Sequence, residues 1–329
     1  MTHARAWLVA AALALLGTGP ATALDLQGHR GARGLAPENT LAGFARALGI
    51  GVTTLELDLA VTRDDLLVIS HDPALNPDLT RGPDGRFLDA RGPLIRTLGF
   101  DELQGYDVGR LKPGSDYAKR YPQQEPVDGA RIPKLDALFA LVQRAGNDEV
   151  RFAIEVKVFP LAPEDTIPAE DFARRTIAAI RAAGVGKRST ILSFDWRVLA
   201  LVQREAPEIG TVHLSAQQRW LDNIGAGQAT ASPWTAGIRH ADHGSVPRMV
   251  KAAGGSTWSA FFGDLDPAKV REAQALGLQV LAWTVNQPAD IERVLDWGVD
   301  GIVSDRPDLV RSAMQRRGLP LPRPTPVAP

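Results

Sequence analysis

The chain has 329 residues, 44% of them hydrophobic and 23% charged, so it can bury a sizeable core. Its 37 basic and 38 acidic side chains give a formal net charge of -1, which argues against nucleic acid or another polyanion as a partner. The absence of cysteine excludes disulfides, thiolate metal sites, a cysteine nucleophile and a cysteine-linked lipid.

Residues 1–23 have the pattern of a secretory signal peptide. His3 and Arg5 make the start weakly basic, an apolar run follows, and Ala21-Thr22-Ala23 is a cleavage site of the A-x-A type. The apolar run is too short to span a bilayer comfortably. We therefore expect cleavage after Ala23, a mature chain without stable membrane insertion, and a periplasmic location. Secretion and an N-terminal membrane anchor are the alternatives.

From residue 24 onward, short apolar strands alternate with amphipathic helices. The predicted strands are residues 24–28, 54–61, 151–158, 190–193, 210–214, 256–259, 278–284 and 301–304. The predicted helices are residues 40–49, 135–144, 171–183, 196–205, 246–253, 267–276, 288–297 and 307–317. Such alternation implies parallel strands joined by right-handed crossovers. The sequence therefore predicts an α/β fold, a TIM-type (β/α)8 barrel over residues 24–318.

Three stretches depart from this alternation. Residues 73–133 are rich in Pro, Gly, Asp and Arg and too long for an ordinary βα loop, so they predict an insertion between the second strand and its helix, with a short helix near 100–105. Residues 66–70 are expected to extend or pair with the second strand. Residues 217–245 are irregular, and the Pro-rich tail 319–329 is predicted to be disordered.

Carboxylates recur at the ends of the second and third long strands. Glu56 and Asp58 are two residues apart, so they share a face and point into the barrel, while the leucines around them face the helices. Glu155 and Lys157 repeat this spacing on the next long strand. Three inward carboxylates suit a hard divalent cation, Ca²⁺ or Mg²⁺. The alternative is a carboxylate cluster neutralised by Arg30 and Lys157.

Two histidines fall at strand ends on the same side of the barrel. His29 and His71 lie beside the carboxylates, where they suit a general acid and a general base. His213 is interpreted as structural, and His240 and His243 as residues of a solvated loop.

Other polar and aromatic residues at strand ends suit substrate binding. Arg30 and Lys157 suit the oxygens of a phosphodiester, which carries one negative charge. Trp283 could form a flat pocket wall for glycerol or a similar alcohol, with core packing as the alternative. Ser304 and Asp305 are expected to cap the last helix.

The ordered motifs resemble the glycerophosphodiester phosphodiesterase family over roughly residues 24–315. They are His29-Arg30-Gly31, Pro37-Glu38-Asn39-Thr40, Glu56-Leu57-Asp58, Ser70-His71-Asp72-Pro73, Ile132-Pro133-Lys134-Leu135, Ile154-Glu155-Val156-Lys157, Trp283-Thr284-Val285-Asn286 and Asp300-Gly301-Ile302-Val303-Ser304-Asp305. The resemblance implies a TIM-type barrel with an insertion after its second strand and one divalent cation, Ca²⁺ or Mg²⁺, on Glu56, Asp58 and Glu155. It also implies an acid/base pair, His29 and His71.

The expected reaction is metal-dependent hydrolysis of a small glycerophosphodiester to an alcohol and glycerol 3-phosphate. We expect His29 to act as base and His71 as acid, with either water or a hydroxyl of the substrate as nucleophile. One alternative is an exported phosphodiester-binding protein. Another is a lysophospholipase D-like, sugar or lipid phosphodiesterase, and an apolar groove along the insertion would favour lipids. Candidates for that groove are Phe87, Leu88, Leu94, Ile95 and Phe100, with packing of the insertion onto the barrel as the alternative.

Overall fold

The computed structural model describes residues 23–329 of the chain. The predicted signal peptide therefore lies outside the described residues, apart from Ala23, where the description begins. Within residues 23–329, no helix combines the length and the apolar character that a membrane crossing requires.

Short strands and helices alternate along the described chain. The strands are β1 (Asp25–Gly28), β2 (Thr54–Val61), β3 (Leu67–Ile69), β4 (Arg151–Val156), β5 (Ser189–Ser193), β6 (Gly210–Ser215), β7 (Gln217–Gln218), β8 (Leu221–Asp222), β9 (Thr257–Phe261), β10 (Gln279–Trp283) and β11 (Gly301–Ser304). The α-helices are α1 (Leu41–Ile50), α2 (Phe100–Leu103), α3 (Asp116–Arg120), α4 (Leu135–Arg144), α5 (Ala169–Ala182), α6 (Trp196–Glu205), α7 (His240–His243), α8 (Val246–Ala252), α9 (Pro267–Ala275), α10 (Pro288–Asp296) and α11 (Pro307–Arg316).

Eight of these strands form a closed parallel barrel. Its order is β1, β2, β4, β5, β6, β9, β10 and β11, and the barrel closes because β1 pairs with both β2 and β11. The predicted TIM-type (β/α)8 fold is therefore confirmed. The short strand β3 pairs antiparallel with the end of β2, as residues 66–70 predicted.

The two faces of β2 show how the barrel separates its apolar and polar side chains. Leu55, Leu57 and Leu59 are fully buried in the apolar core that also contains the helices. Glu56 and Asp58 alternate with them and so point into the barrel. The register of β2 and β4 places Asp58 opposite Glu155. Side-chain alternation and strand register thus bring the predicted carboxylates together.

Residues 73–133 lie between β3 and α4 and include α2 and α3. Helix α2 coincides with the short helix expected near 100–105. A separate apolar cluster joins this insertion to the barrel, and Leu88, Ile95 and Phe100 belong to it or pack against it. Ile95 is only 1% exposed, while Leu88 and Phe100 are half-buried. These three side chains pack the insertion onto the barrel, which is the alternative expected for them.

The Pro-rich tail 319–329 has neither helix nor strand, yet it contacts the barrel. The backbone N–H of Thr325 donates to the Leu48 carbonyl at 2.9 Å, and Thr325 is only 6% exposed. Arg311 Nη1 donates to the Pro322 carbonyl at 2.7 Å. These hydrogen bonds join the backbone of the tail to α1 and α11. They do not match the disorder predicted for it.

Candidate active site

One cavity at the carboxyl ends of the barrel strands holds the predicted functional side chains. Its volume is about 720 Å³, and seven of the eight predicted site residues line it: His29, Arg30, Glu56, His71, Glu155, Lys157 and Trp283. The eighth, Asp58, is fully buried and forms ion pairs with Arg30 and Lys157. Barrel enzymes carry their active sites at this end of the strands.

Glu56, Asp58 and Glu155 form a buried carboxylate cluster. One oxygen from each side chain lies within 4.8 Å of the other two. Lys157 Nζ is 2.9 Å from Glu155 Oε1 and 3.3 Å from Asp58 Oδ1, and Arg30 Nε is 3.3 Å from Asp58 Oδ2. Even so, Asp58 Oδ1 is buried without a hydrogen-bond partner among the described residues.

The pKa values of this cluster are shifted in opposite directions. Burial, followed by the charges of Asp58 and Glu155, raises the pKa of Glu56 well above its usual value. Burial also raises the pKa of Glu155 to about 7, although Lys157 acts against it. Burial would raise the pKa of Asp58 too, but Lys157 and further positive charges hold it well below its usual value. Without more positive charge, Glu56 and Glu155 therefore keep their protons to a higher pH than free glutamates do.

This donor set suits a hard divalent cation. Ca²⁺ and Mg²⁺ take carboxylate oxygens as ligands, and Asp58 Oδ1 is a buried oxygen that lacks a hydrogen bond. The alternative, in which Arg30 and Lys157 neutralise the carboxylates, holds in part, since both side chains form ion pairs in the cluster. However, Arg30 shares its charge with Glu38, at 2.7 Å, and Glu56 forms no ion pair with lysine or arginine in residues 23–329. The cluster could therefore bind a metal ion.

His29 follows β1 and contacts Asp305. Their Nδ1 and Oδ1 atoms are 2.6 Å apart, so Nδ1 carries the hydrogen and Nε2 presents its lone pair. Nε2 lies 3.9 Å from Glu56 Oε2. Burial lowers the pKa of His29 to about 4, although Asp305 acts in the opposite direction. The imidazole is thus neutral at pH 7, as a general base must be.

Asp305 is held in place by three side chains. Arg33 donates through Nε to Asp305 Oδ1 at 2.7 Å and through Nη2 to Oδ2 at 3.1 Å. Asn286 Nδ2 donates to Asp305 Oδ2 at 2.7 Å, and Asn286 Oδ1 accepts from the Asp305 backbone N–H at 2.9 Å. The third is His29 itself.

The prediction that Asp305 caps the last helix is wrong. Arg306 is the residue before α11, and no side chain caps that helix. The parallel register of β1 and β11 aligns Gly28 with Ser304, so the next residues, His29 and Asp305, lie side by side. The pairing of β1 with β11 therefore brings this carboxylate to the imidazole.

His71 follows β3, just before the insertion, and has its own carboxylate partner. Its Nδ1 lies 2.7 Å from Asp72 Oδ1, and Asn76 Nδ2 donates to Asp72 Oδ2 at 2.7 Å. Burial, followed by Arg30 and Lys157, lowers the pKa of His71. Its side chain is 29% exposed, against 12% for His29, so His71 lies nearer to solvent. Each histidine is thus oriented by a neighbouring aspartate.

Arg30 and Asn39 connect the carboxylates to the loop after β1. The Arg30 backbone N–H donates to Glu56 Oε2 at 2.8 Å, and Asn39 Nδ2 donates to Asp58 Oδ2 at 2.9 Å. Both residues have positive φ, 51° and 54°, a conformation uncommon for residues other than glycine. Such strain occurs where surrounding contacts impose it, often at functional sites. The sequence alone indicated no role for Asn39, although it lies in the Pro37-Glu38-Asn39-Thr40 motif.

The insertion contributes Tyr117 to the same network. Its hydroxyl accepts a hydrogen bond from Arg33 Nη1 at 3.1 Å and donates one to Glu38 Oε2. The guanidinium carbon of Arg33 also lies 4.8 Å from the ring centroid of Tyr121. Nothing in the local sequence marks Tyr117, because it lies in a short polar helix far from the strand ends.

Trp283 belongs to a group of aromatic side chains on another side of the cavity. Its ring centroid is 5.4 Å from that of Phe194 and 5.6 Å from that of Phe261. Trp283 Nε1 donates to the Ser259 carbonyl at 3.1 Å, and the ring packs against the apolar residues inside the barrel. Trp283 therefore lines the cavity and also packs in the core.

The remaining histidines lie apart from this site. His213 is buried, with its ring centroid 5.1 Å from that of Trp196 in an edge-on arrangement. His240 and His243 lie on the short helix α7, and neither lines the cavity. Their sequence interpretations as structural and surface residues agree with these positions.

Fold and site together define a (β/α)8 barrel with a candidate active site at the carboxyl ends of its strands. The family model described as "Glycerophosphoryl diester phosphodiesterase family" matches residues 29–309. The chain belongs to this family.

Relatives of the same name match most of the chain. A glycerophosphodiester phosphodiesterase from Caldanaerobacter subterraneus subsp. tengcongensis is 26% identical, over 88% of this chain and 97% of its own length. One from Bacillus subtilis is 27% identical, over 85% of this chain and 83% of its own.

Solved structures agree with the fold. A protein from Silicibacter pomeroyi, provisionally named a glycerophosphoryl diester phosphodiesterase, is 34% identical with a TM-score of 0.81, covering 92% of this chain and 96% of its own. An Oleispira antarctica phosphodiesterase, solved with the product sn-glycerol-3-phosphate, has a TM-score of 0.62 at 23% identity, covering 88% of this chain and 96% of its own.

Proposed function

We propose that the chain hydrolyses glycerophosphodiesters to an alcohol and glycerol 3-phosphate, with the help of one divalent cation and of His29 and His71. The observation that carries this proposal is a single cavity lined by both imidazoles, by Arg30 and Lys157, and by carboxylates of the buried cluster. The names of the relatives support the reaction class. The sn-glycerol-3-phosphate bound to the Oleispira protein supports the product.

Glu56, Asp58 and Glu155 would hold the cation, Ca²⁺ or Mg²⁺. When bound, it would supply a Lewis acid that neutralises charge on the phosphate. The chain's own cations complete the anion site: the Arg30 guanidinium and the Lys157 ammonium both line the cavity. A phosphodiester carries one negative charge, which charge-assisted hydrogen bonds from these two groups would hold and orient.

His29 suits the general base because Asp305 accepts the hydrogen on Nδ1 and leaves the Nε2 lone pair free. Nε2 takes the proton from the attacking oxygen as that oxygen bonds to phosphorus. His71 suits the general acid, which gives its proton to the oxygen of the leaving alcohol. A phosphate anion between Arg30 and Lys157 offsets the two charges that disfavour protonated His71.

The attacking oxygen belongs either to water or to a glycerol hydroxyl of the substrate. A hydroxyl attack forms a cyclic phosphate, which water then opens while the two histidines exchange their roles. Phosphorus NMR under single-turnover conditions distinguishes the two routes. A transient cyclic phosphate supports hydroxyl attack, and its absence supports direct attack by water.

The proposal is tested by release of glycerol 3-phosphate from glycerophosphocholine. We expect His29→Ala and His71→Ala to fold normally and to lose about 10²- to 10⁴-fold in kcat, the usual contribution of one acid/base group. His243→Ala, on the surface helix α7, is the matched control and should retain full activity. Wild-type activity in either active-site variant would remove that histidine from the mechanism. Binding of glycerophosphocholine without turnover by the wild type would instead support an exported binding protein.

We also propose that the chain is exported to the periplasm. The support is the weakly basic, apolar and A-x-A pattern of residues 1–23. N-terminal sequencing of the protein from a periplasmic extract should give Leu24 as the first residue. An unprocessed Met1 in the cytoplasmic fraction would contradict the proposal, and processed protein in the medium would indicate secretion.

A further inference from the structure

The active-site cavity is divided by chemistry into two parts. One part contains the histidines, the cations and the carboxylate cluster. The other is walled by apolar side chains that end or follow β4, β5, β6, β9 and β10: Phe159, Phe194, Trp220, Leu221, Phe261 and Trp283. The second part is here called the aromatic wall. The proposed reaction takes place in the first part, and it assigns no group of the substrate to the aromatic wall.

The rings of the aromatic wall form one continuous surface. The Trp220 ring centroid lies 5.5 Å from that of Phe261 and 6.1 Å from that of Trp283. The ring centroid of Trp283 in turn lies 5.4 Å from that of Phe194. Edge-to-face packing at these distances fixes the rings relative to one another. The surface therefore extends from the barrel interior at Trp283 to the rim at Trp220.

Trp220 is 60% exposed although it is a large apolar side chain. It lies in the turn between β7 and β8, and Asp264 anchors this hairpin by accepting from the Gln217 backbone N–H at 2.8 Å and from Gln218 Nε2 at 2.5 Å. The indole is thus presented beside the cavity by a hydrogen-bonded base rather than by a free loop. Exposed apolar surface continuous with an active site marks a place where apolar substrate binds.

The charges around the aromatic wall argue against a cationic head group there. The acidic residues that line the cavity, Glu56 and Glu155, both belong to the carboxylate cluster. Lys157, a cation that lines the same cavity, has its Nζ 5.9 Å from the Phe194 ring centroid. A quaternary ammonium on these rings would meet a like charge without a counter-charge of its own. The wall is better matched to an uncharged apolar chain.

We propose that the aromatic wall binds an uncharged apolar chain of the substrate, and that Trp220 is a specificity-determining residue for it. This inference rests on the proposed function, because it names the substrate class of the same site. The chain can belong to the leaving alcohol, as in a glycerophosphoalkanol, or to the glycerol, as in a lysophospholipid. Both present the same apolar chemistry to the rings.

The test compares kcat/KM along two series of substrates below their micelle-forming concentrations. One series is glycerophosphoalkanols of increasing alkyl length, and the other is lysophosphatidylcholines of increasing acyl length. We expect kcat/KM to rise in one series by roughly fourfold for each methylene that the wall buries. The series that responds identifies which side of the phosphodiester carries the chain.

Trp220→Ala should abolish most of this rise, whereas Trp220→Phe should restore part of it. Leu161→Ala is the matched control, since Leu161 is 77% exposed but does not line the cavity. Glycerophosphocholine is compared with its tert-butylethyl analogue, in which carbon replaces the charged nitrogen. The neutral analogue should be the better substrate.

Three results would overturn the inference while the methyl ester is still hydrolysed. These are no dependence on chain length in either series, a dependence that Trp220→Ala leaves intact, and a preference for choline over its neutral analogue. Failure to hydrolyse any of these phosphodiesters, the methyl ester included, would count against the proposed function itself.

Discussion

The imidazole of His29 and the carboxylate of Asp305 meet at 2.6 Å, although 276 positions separate them in the chain. Closure of the barrel between β1 and β11 brings them together. The contact fixes the tautomer of His29, and Arg33 and Asn286 fix the carboxylate in turn. In the proposed mechanism, Asp305 is thus a positioning residue, which acts through His29.

Asp305→Asn should reduce kcat by about 10²-fold with little change in KM, because the amide no longer enforces the Nδ1–H tautomer. Asp305 also acts to raise the pKa of His29. Its removal should therefore move the acidic limb of the kcat/KM profile to lower pH, a change that a purely structural role would not produce. Wild-type kcat with an unmoved acidic limb would contradict the assignment.

Glu56→Gln should abolish cation binding while the protein remains folded. The cation loses one of its carboxylate ligands, whereas the metal-free cluster loses a carboxyl group whose charge is disfavoured by burial and by its acidic neighbours. The melting temperature should therefore be maintained without metal and no longer rise on addition of Ca²⁺ or Mg²⁺. Glu170→Gln, an exposed change on α5, is the control that should keep the wild-type response. A wild-type response in Glu56→Gln would place the cation elsewhere.

Tyr117→Phe should lower kcat/KM by about tenfold, since it leaves buried polar groups of Arg33 and Glu38 without a partner, at a cost of about 1–3 kcal/mol. Tyr121→Phe is the matched control. It keeps the aromatic ring against Arg33 and should retain activity. Equal losses in both variants would show that the hydroxyl of Tyr117 has no particular role.

Because His213 is buried, we expect the protein to lose stability in mild acid. Burial lowers its pKa from 6.5 to about 4, so the unfolded chain binds a proton that the native chain does not. The contribution of neutral, buried His213 to the free energy of unfolding is fully present above pH 6.5 and is lost as the pH falls to about 4. The loss amounts to about 3 kcal/mol, from 1.36 kcal/mol per pKa unit.

Urea unfolding of metal-free protein between pH 4 and 7 measures this dependence. His213→Phe keeps a ring against Trp196. The slope of its free energy of unfolding against pH should be smaller than that of the wild type, by an amount that corresponds to about one proton. His243→Phe, on α7, should leave it unchanged. An identical pH dependence in the wild type and in His213→Phe would refute the assignment.

The parts of the fold and site that depend on local periodicity could be predicted from the sequence. Alternation along β2 indicated that Glu56 and Asp58 point inward, and both do so in the structure. His29 and His71 were predicted from their positions after short apolar runs, and they line the same cavity. These features depend on side-chain direction within one strand, which sequence records directly.

Contacts between distant segments could not be predicted in this way. The role of Asp305 depends on which strands meet when the barrel closes, so its local pattern resembled a helix cap instead. Tyr117 reaches Arg33 and Glu38 from the insertion, whose packing has no periodic signal. Trp220 is exposed by a hairpin within an irregular stretch, where composition indicates a loop but no direction.

In the proposed function, hydrolysis of a glycerophosphodiester requires a divalent cation on the carboxylate cluster. The most direct measurement is release of glycerol 3-phosphate from glycerophosphocholine by protein stripped of metal, followed by stepwise addition of Ca²⁺ or Mg²⁺. We expect almost no release after stripping, and full recovery that saturates near one cation per chain and is lost in Glu56→Gln. Undiminished release by the stripped protein would contradict this account.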